Sequence, residues 1–140
     1  MRSLALEEID TLAETLAKMI EYHFPTLLIP PSQTTHLGAL MEMKSGVGGS
    51  ESSLFLAELL RMYQRLATNN NWNATIVTKN DLEAGGIKDA TVEFRGGGAY
   101  DSLRWESGVH RVQRVPATES SGRTHTSTVA IVVSLFAPSL

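Results

Sequence analysis

Apolar residues at Leu6, Ile9, Ala13, Leu16 and Ile20 recur at the spacing of one helix face. The pattern predicts an amphipathic helix over Leu4–Tyr22, ended by Pro25. From Pro25 to Leu37, with Pro30 and Pro31 adjacent, the chain is expected to run as an extended connector, because proline donates no backbone hydrogen bond. Ala39–Lys44 alternates Leu40, Glu42 and Lys44 with Met41 and Met43, which suits a strand. The turn SGVGGSESS follows and leads into a helix of roughly 18 residues, with Phe55, Leu59, Met62 and Leu66 as its apolar face and Ser50 as its N-cap.

Trp72–Thr78 and Ala90–Arg95 are predicted strands flanking a Gly85-Gly86 turn. Ala99–Glu106 is a short helix, Val109–Val115 an alternating strand and Thr128–Leu135 a last, almost wholly apolar strand. The order strand, helix, strand, strand, short helix, strand, strand predicts an α+β fold. Its sheet should be mainly antiparallel with helices packed on one face, close to the split βαβ or ferredoxin-like arrangement, preceded by one amphipathic helix. Two domains are expected: 1–36, a terminal helix of an N-terminal helical domain plus its proline-rich connector, and 37–140.

With 140 residues, 42% of them hydrophobic, the chain can bury a core and is expected to be a folded, soluble unit. It contains no apolar run of membrane-spanning length, so no membrane partner is expected. Glu7, Glu8, Asp10 and Glu14 near the start oppose both a secretory signal and an arginine-rich transit peptide. The absence of cysteine excludes disulfide scaffolds, thiol catalysis and cysteine zinc sites. A net charge of −3 argues against coating nucleic acid by bulk electrostatics, so any nucleic-acid contact must be local and shaped.

Candidate chemistry is sparse outside two segments. SGVGGSESS lacks the Gly-Lys-Ser/Thr ending of a P-loop, so it is either a structural turn feeding a helix or a set of exposed backbone groups that could read a base edge. His23, His36, His110 and His125 have no metal-motif spacing, so neither a metal nor a cofactor is expected. Glu106 and His110 suggest a structural hydrogen bond rather than acid/base chemistry, and no Gly-x-Ser-x-Gly elbow occurs. The stretch RVPATESSGRTHTST, Arg114–Thr128, holds seven hydroxyl side chains, two arginines and His125, with Gln113 just before it. A loop between strands is ordinarily a solvated connector. A stackable ring among hydroxyls, beside a two-sided amide, also matches how unpaired RNA bases are read, with Arg111, Arg114 and Arg123 as candidate phosphate contacts.

The run ESGVHRVQRVPATESSGRTHTST, with SGVGGSESSLFLAELLRMYQR upstream, closely resembles the central domain of class-I peptide chain release factors of the bacterial and organellar type. Pro116-Ala117-Thr118 is similar to the Pro-x-Thr tripeptide of the type-1 branch, which reads UAA and UAG. The resemblance implies a stop-codon recognition domain over 37–140, with the ribosomal small-subunit decoding centre and the mRNA stop codon as partners. It implies that Thr118 meets the purine at codon position two, that His125 stacks on that base, and that Gln113 and Thr126 contact the third base. Backbone groups of Gly48 and Glu51 would recognise the first uridine. The family's Gly-Gly-Gln motif occurs nowhere in the chain. The expected protein therefore decodes without itself promoting peptidyl-tRNA hydrolysis, has no catalytic residue, and lacks the catalytic domain as a partner. Gly122–Thr128 and the Pro30-Pro31 pair resemble mitochondrial members more than bacterial ones, so the mitochondrial matrix is the expected location and the bacterial cytoplasm the alternative.

Overall fold

A computed structural model of the protein describes residues 2–30, 32–83, 85–116 and 119–137. The chain divides into two compact units, residues 1–33 and 34–140. The boundary precedes the expected one because Thr34 and Thr35 already belong to the second unit. There the Thr34 hydroxyl donates to Asp101 Oδ1 at 2.5 Å, and the Gly98 amide donates to the Thr35 carbonyl at 2.7 Å.

In the first unit, helix α1 (Arg2–Lys18) passes through a π-helical turn, Met19–His23, into α2 (Phe24–Leu28). The expectation that Pro25 ends the helix fails: the helix runs on to Leu28, Ile29 is extended, and Gln33–His36 form a turn rather than a continuous extended connector. Proline here follows directly on the π-helical turn, whose wider bonding accommodates the ring and the missing N–H within a continuous helical backbone.

The second unit is built from β1 (Gly38–Ser45), α3 (Ser50–Asn69), β2 (Asn73–Asp81), β3 (Ile87–Arg95), α4 (Ala99–Leu103), a 3-10 turn (Arg104–Glu106), β4 (Gly108–Arg114) and β5 (His125–Phe136). The five strands form one sheet in the order β2-β3-β1-β5-β4, every neighbouring pair antiparallel. Since β3 runs antiparallel to both β1 and β2, those two strands are parallel with β3 between them. This is the split βαβ unit, with α3 as its crossover.

Alternation sets the core. Ala39, Met41 and Met43 of β1 face the same side as Ala90, Val92 and Phe94 of β3 and Val129 and Ile131 of β5, and all are buried. Leu56, Leu60, Tyr63 and Ala67 of α3 cover them, together with Leu59 of α3 and Ala99 and Leu103 of α4.

Three expectations need correction here. The buried stripe of α3 is rotated from Phe55, Leu59, Met62 and Leu66: Met62 and Leu66 are exposed and Tyr63 is buried. The helix carries apolar residues on more than one face, and only the position of the sheet selects among them. The N-cap is Gly49 rather than Ser50, because the chain enters the helix through φ 61, a left-handed conformation that glycine adopts without Cβ conflict. Finally, β5 starts at His125, not Thr128, so three residues expected in the loop are in the ladder.

Candidate nucleic-acid interface

The glycine turn after β1 is docked on the start of β5. The Gly46 amide donates to the Thr128 carbonyl at 2.8 Å, the Thr128 amide donates to the Val47 carbonyl at 2.9 Å, and the Val47 amide donates to Thr128 Oγ1 at 3.0 Å. Gly48 adopts φ 133, and a Cβ there would lie 2.6 Å from Ser127 Oγ and 2.9 Å from its Cα. Glycine is thus required at this position by both conformation and space. The following serines serve the fold: Ser52 donates to the Gly49 carbonyl at 2.7 Å and Ser53 to the Ser50 carbonyl at 2.6 Å.

On the other side of the site, β4 and β5 bring separated residues into register. Gln113 stands directly opposite Thr126, and Arg114 opposite His125. Opposed residues share a sheet face, so the amide and hydroxyl expected to meet one base are neighbours. Beyond the ladder the connection carries Pro116, which is buried, and Glu119, whose amide donates to the Pro116 carbonyl at 3.0 Å. Ala117 and Thr118 lie outside the described residues.

Glu119 is a residue that sequence reasoning did not select. Its Oε1 accepts from the Ser121 hydroxyl at 2.5 Å and the Ser121 amide at 3.0 Å, while Oε2 lies 2.6 Å from His125 Nε2. The Ser121 hydroxyl, the Ser121 amide and His125 together lower the carboxyl pKa to about 2. The carboxylate thereby holds the edge of the half-exposed His125 ring.

Gly48, Gly49, Ser50 and Glu51 on one side and Pro116, Glu119, His125 and Thr126 on the other line a cavity of about 310 Å³. Five residues expected at the site, Gly48, Glu51, Pro116, His125 and Thr126, therefore converge from three segments. Gln113 stands beside the cavity through Thr126 rather than lining it. A larger groove of about 460 Å³ on α3, lined by Glu58, Arg61, Met62, Arg65, Leu66 and Asn69, comes from one helix alone and contains none of the expected residues.

Glu51 contributes to the cavity wall from the first turn of α3, but its side chain is buried. Arg114 donates from Nε to Glu51 Oε1 at 2.5 Å and forks onto both oxygens of Glu58 at 2.7 and 3.0 Å. These carboxylates raise the arginine pKa above its ordinary value. Arg114 is consequently committed within the protein. Arg111 and Arg123 are exposed and, among the described residues, form no ion pair. His110 lies 2.9 Å from the Glu106 carbonyl oxygen, while the Glu106 carboxylate accepts from the buried Tyr63 hydroxyl at 2.7 Å; both contacts are structural. Burial, reinforced by Glu106, raises the Tyr63 pKa. Among the described residues no group of three or more His, Cys, Asp or Glu is placed to hold a metal ion, and no helix is long and apolar enough to cross a membrane.

The chemistry assembled at the cavity is recognition: a ring that can stack, hydroxyls, and the backbone of a helix start in one concave surface. These groups sit together on an α+β scaffold. Residues 1–131 match the PCRF domain family. The chain is 44% identical over 133 residues to peptide chain release factor 1 of Bartonella quintana and to that of Aquifex aeolicus, covering 95% of this chain and 37% and 36% of those proteins. A solved structure, RF2 of Thermus thermophilus, superposes with a TM-score of 0.71 at 32% identity, over 95% of this chain and 36% of that one. The chain belongs to the PCRF-domain family of peptide chain release factors. It spans a little over a third of the length of the relatives it matches.

Proposed function

We propose that this chain is the stop-codon recognition region of a type-1 peptide chain release factor, reading UAA and UAG in the decoding centre of the small ribosomal subunit during translation termination. The observation that carries this reading is the convergence of the glycine turn, the Pro116 segment and the His125–Thr126 strand start on one cavity. The backbone at Gly48 and Glu51 takes the first uridine. Pro116, Ala117 and Thr118 present the tripeptide to the second base, with the Thr118 hydroxyl on its edge, and His125 stacks on its face. Gln113 and Thr126 meet the third base, where an amide with donor and acceptor ends beside a rotatable hydroxyl accommodates either purine.

Arg111 and Arg123 supply phosphate contacts, which position the RNA without selecting its sequence. Arg114, held by two carboxylates, is no longer assigned that role. The residues of this chain bind and discriminate; hydrolysis of peptidyl-tRNA is assigned to the Gly-Gly-Gln motif of the family, which this sequence does not contain. The protein operates beside ribosomes of bacterial or organellar type, in the mitochondrial matrix or a bacterial cytoplasm; the relatives named above are bacterial.

One good base contact discriminates by about 1–3 kcal/mol, and a stacked base contributes about 1–3 kcal/mol. Such terms select a codon only when the ribosome holds it in place, so binding to a free trinucleotide is expected to be very weak. The test is binding of the chain to ribosomes carrying UAA, UAG, UGA or a sense codon in the vacant A site, for wild type, Thr118→Ala and His125→Ala. Preference for UAA and UAG, weakened roughly fivefold to a hundredfold by His125→Ala, is the expected result. Thr118→Ala should relax rejection of UGA. Equal affinity for all four codons would instead identify a ribosome-binding module without codon discrimination.

A further inference from the structure

Resting on the reading above, we infer that Arg114 is a positioning residue that sets where the first-base reader stands relative to the readers of the other two bases. Arg114 is the last residue of β4, directly opposite His125 and adjacent in sequence to Gln113. Its guanidinium reaches across to α3, joining Nε to Glu51 and both terminal nitrogens to Glu58. One side chain thus fastens the edge of the sheet that carries the second- and third-base readers to the helix whose first turn carries the first-base reader.

Glu51 makes that fastening specific. Its side chain is only 5% exposed, Oε1 is held by Arg114, and Oε2 has no hydrogen-bond partner among the described residues. A buried carboxylate with a single cationic partner depends on that partner, because removing it leaves an uncompensated charge. The carboxylate cannot reach water without moving the first turn of α3, which is where the backbone of Gly48, Gly49 and Glu51 forms its wall of the cavity. Glu58, being half-exposed, can be solvated in place. Losing Arg114 therefore displaces the Glu51 end of the network and leaves the Glu58 end.

The ladder confines the damage. Gln113 and Thr126 project from the opposite sheet face to Arg114, and their pairing is held by the β4–β5 backbone rather than by the guanidinium. The expected signature is loss of discrimination at codon position one with discrimination at position three retained. A general loss of folding would lower binding to all codons in proportion and leave those ratios unchanged.

The experiment measures affinity of the chain for ribosomes carrying UAA, UAC or CAA in the A site, for wild type, Arg114→Lys, Arg114→Ala, Glu58→Ala and His125→Ala. Lysine keeps a positive charge beside Glu51 but cannot span both carboxylates, so Arg114→Lys serves even if Arg114→Ala does not fold. We expect Arg114→Lys to reduce the UAA-to-CAA preference about tenfold, to keep the UAA-to-UAC preference within about twofold of wild type, and to exceed Glu58→Ala in effect. An unchanged UAA-to-CAA preference in Arg114→Lys, alongside a wild-type preference that His125→Ala weakens, would overturn the positioning role while leaving the codon reading intact. A wild-type chain that binds UAA and CAA equally would remove the codon reading and this inference with it.

Discussion

Two antiparallel strand pairs in this protein are closed by connections of opposite character. Between β2 and β3, residues 82–86 turn tightly: the Leu82 amide donates to the Gly86 carbonyl at 3.1 Å and the Gly85 amide to the Leu82 carbonyl at 2.9 Å. Gly85 and Gly86 both adopt positive φ, 88 and 85. Between β4 and β5, residues 115–124 make a connection twice as long, and among its described residues side-chain bonds run from Ser121 and His125 to Glu119. The first connection is chain reversal. The second contributes Pro116 and Glu119 to the wall of a cavity, and Glu119 holds the His125 ring at the start of β5.

The comparison can be broken by four measurements. The largest effect is expected at Gly86→Ala: a Cβ there meets the Ser53 carbonyl carbon at 2.8 Å in a left-handed conformation, so unfolding by urea should show a loss of about 2–4 kcal/mol. Gly85→Ala has the same kind of φ but open space around it, so only the conformational cost of about 1–2 kcal/mol should appear. Similar losses at the two glycines would show that the tip of the hairpin does not press on α3. In the longer connection, His125→Ala should change stability by no more than about 0.5 kcal/mol, while lowering affinity at UAA; a stability loss comparable to that of Gly86→Ala would make the ring a structural element.

The smallest effect concerns pH. The Glu119 carboxyl is lowered to about 2 in the folded protein, below its ordinary 4.5. A group with a depressed folded pKa stabilises the structure above its unfolded pKa and loses that contribution as pH falls through the folded value. The stability contributed by the Glu119 carboxylate should therefore be lost as pH falls between about 4.5 and 2, with the folded carboxyl itself protonating near 2. The carboxyl carbon shift of Glu119, followed by NMR, checks this: a midpoint near 4.5 would mean that Ser121 and His125 do not hold it.

The order of elements was legible because alternation and helical spacing are local properties: Met41 and Met43, or Val129 and Ile131, announce a strand without reference to anything distant. The glycine turn was legible for the same reason, since Gly48 and Gly49 mark a conformation that other residues avoid. What escaped was set by tertiary partners. Which face of α3 is buried depends on the sheet beneath it, so Tyr63 displaced Met62 from the core. His125–Ser127, polar and flanked by threonines, carry no strand signal of their own and become strand by pairing with Val112–Arg114. Proline at position 25 carries a real local signal, yet a π turn absorbed it. The contacts of Arg114 with Glu51 and Glu58 span 63 and 56 residues, and nothing along the chain marks those partners before the fold brings them together.

The register that sets Arg114 opposite His125 also closes a frame around everything between them. The ten intervening residues enter and leave through one pair of strand ends that the ladder fixes independently of what the connection contains. A segment of different composition grafted between these two positions would enter and leave at the same two strand ends, but would keep the His125 ring in place only if it carried a carboxylate where Glu119 stands. What lies between the two strand ends can thus vary while the ends themselves stay where the ladder holds them.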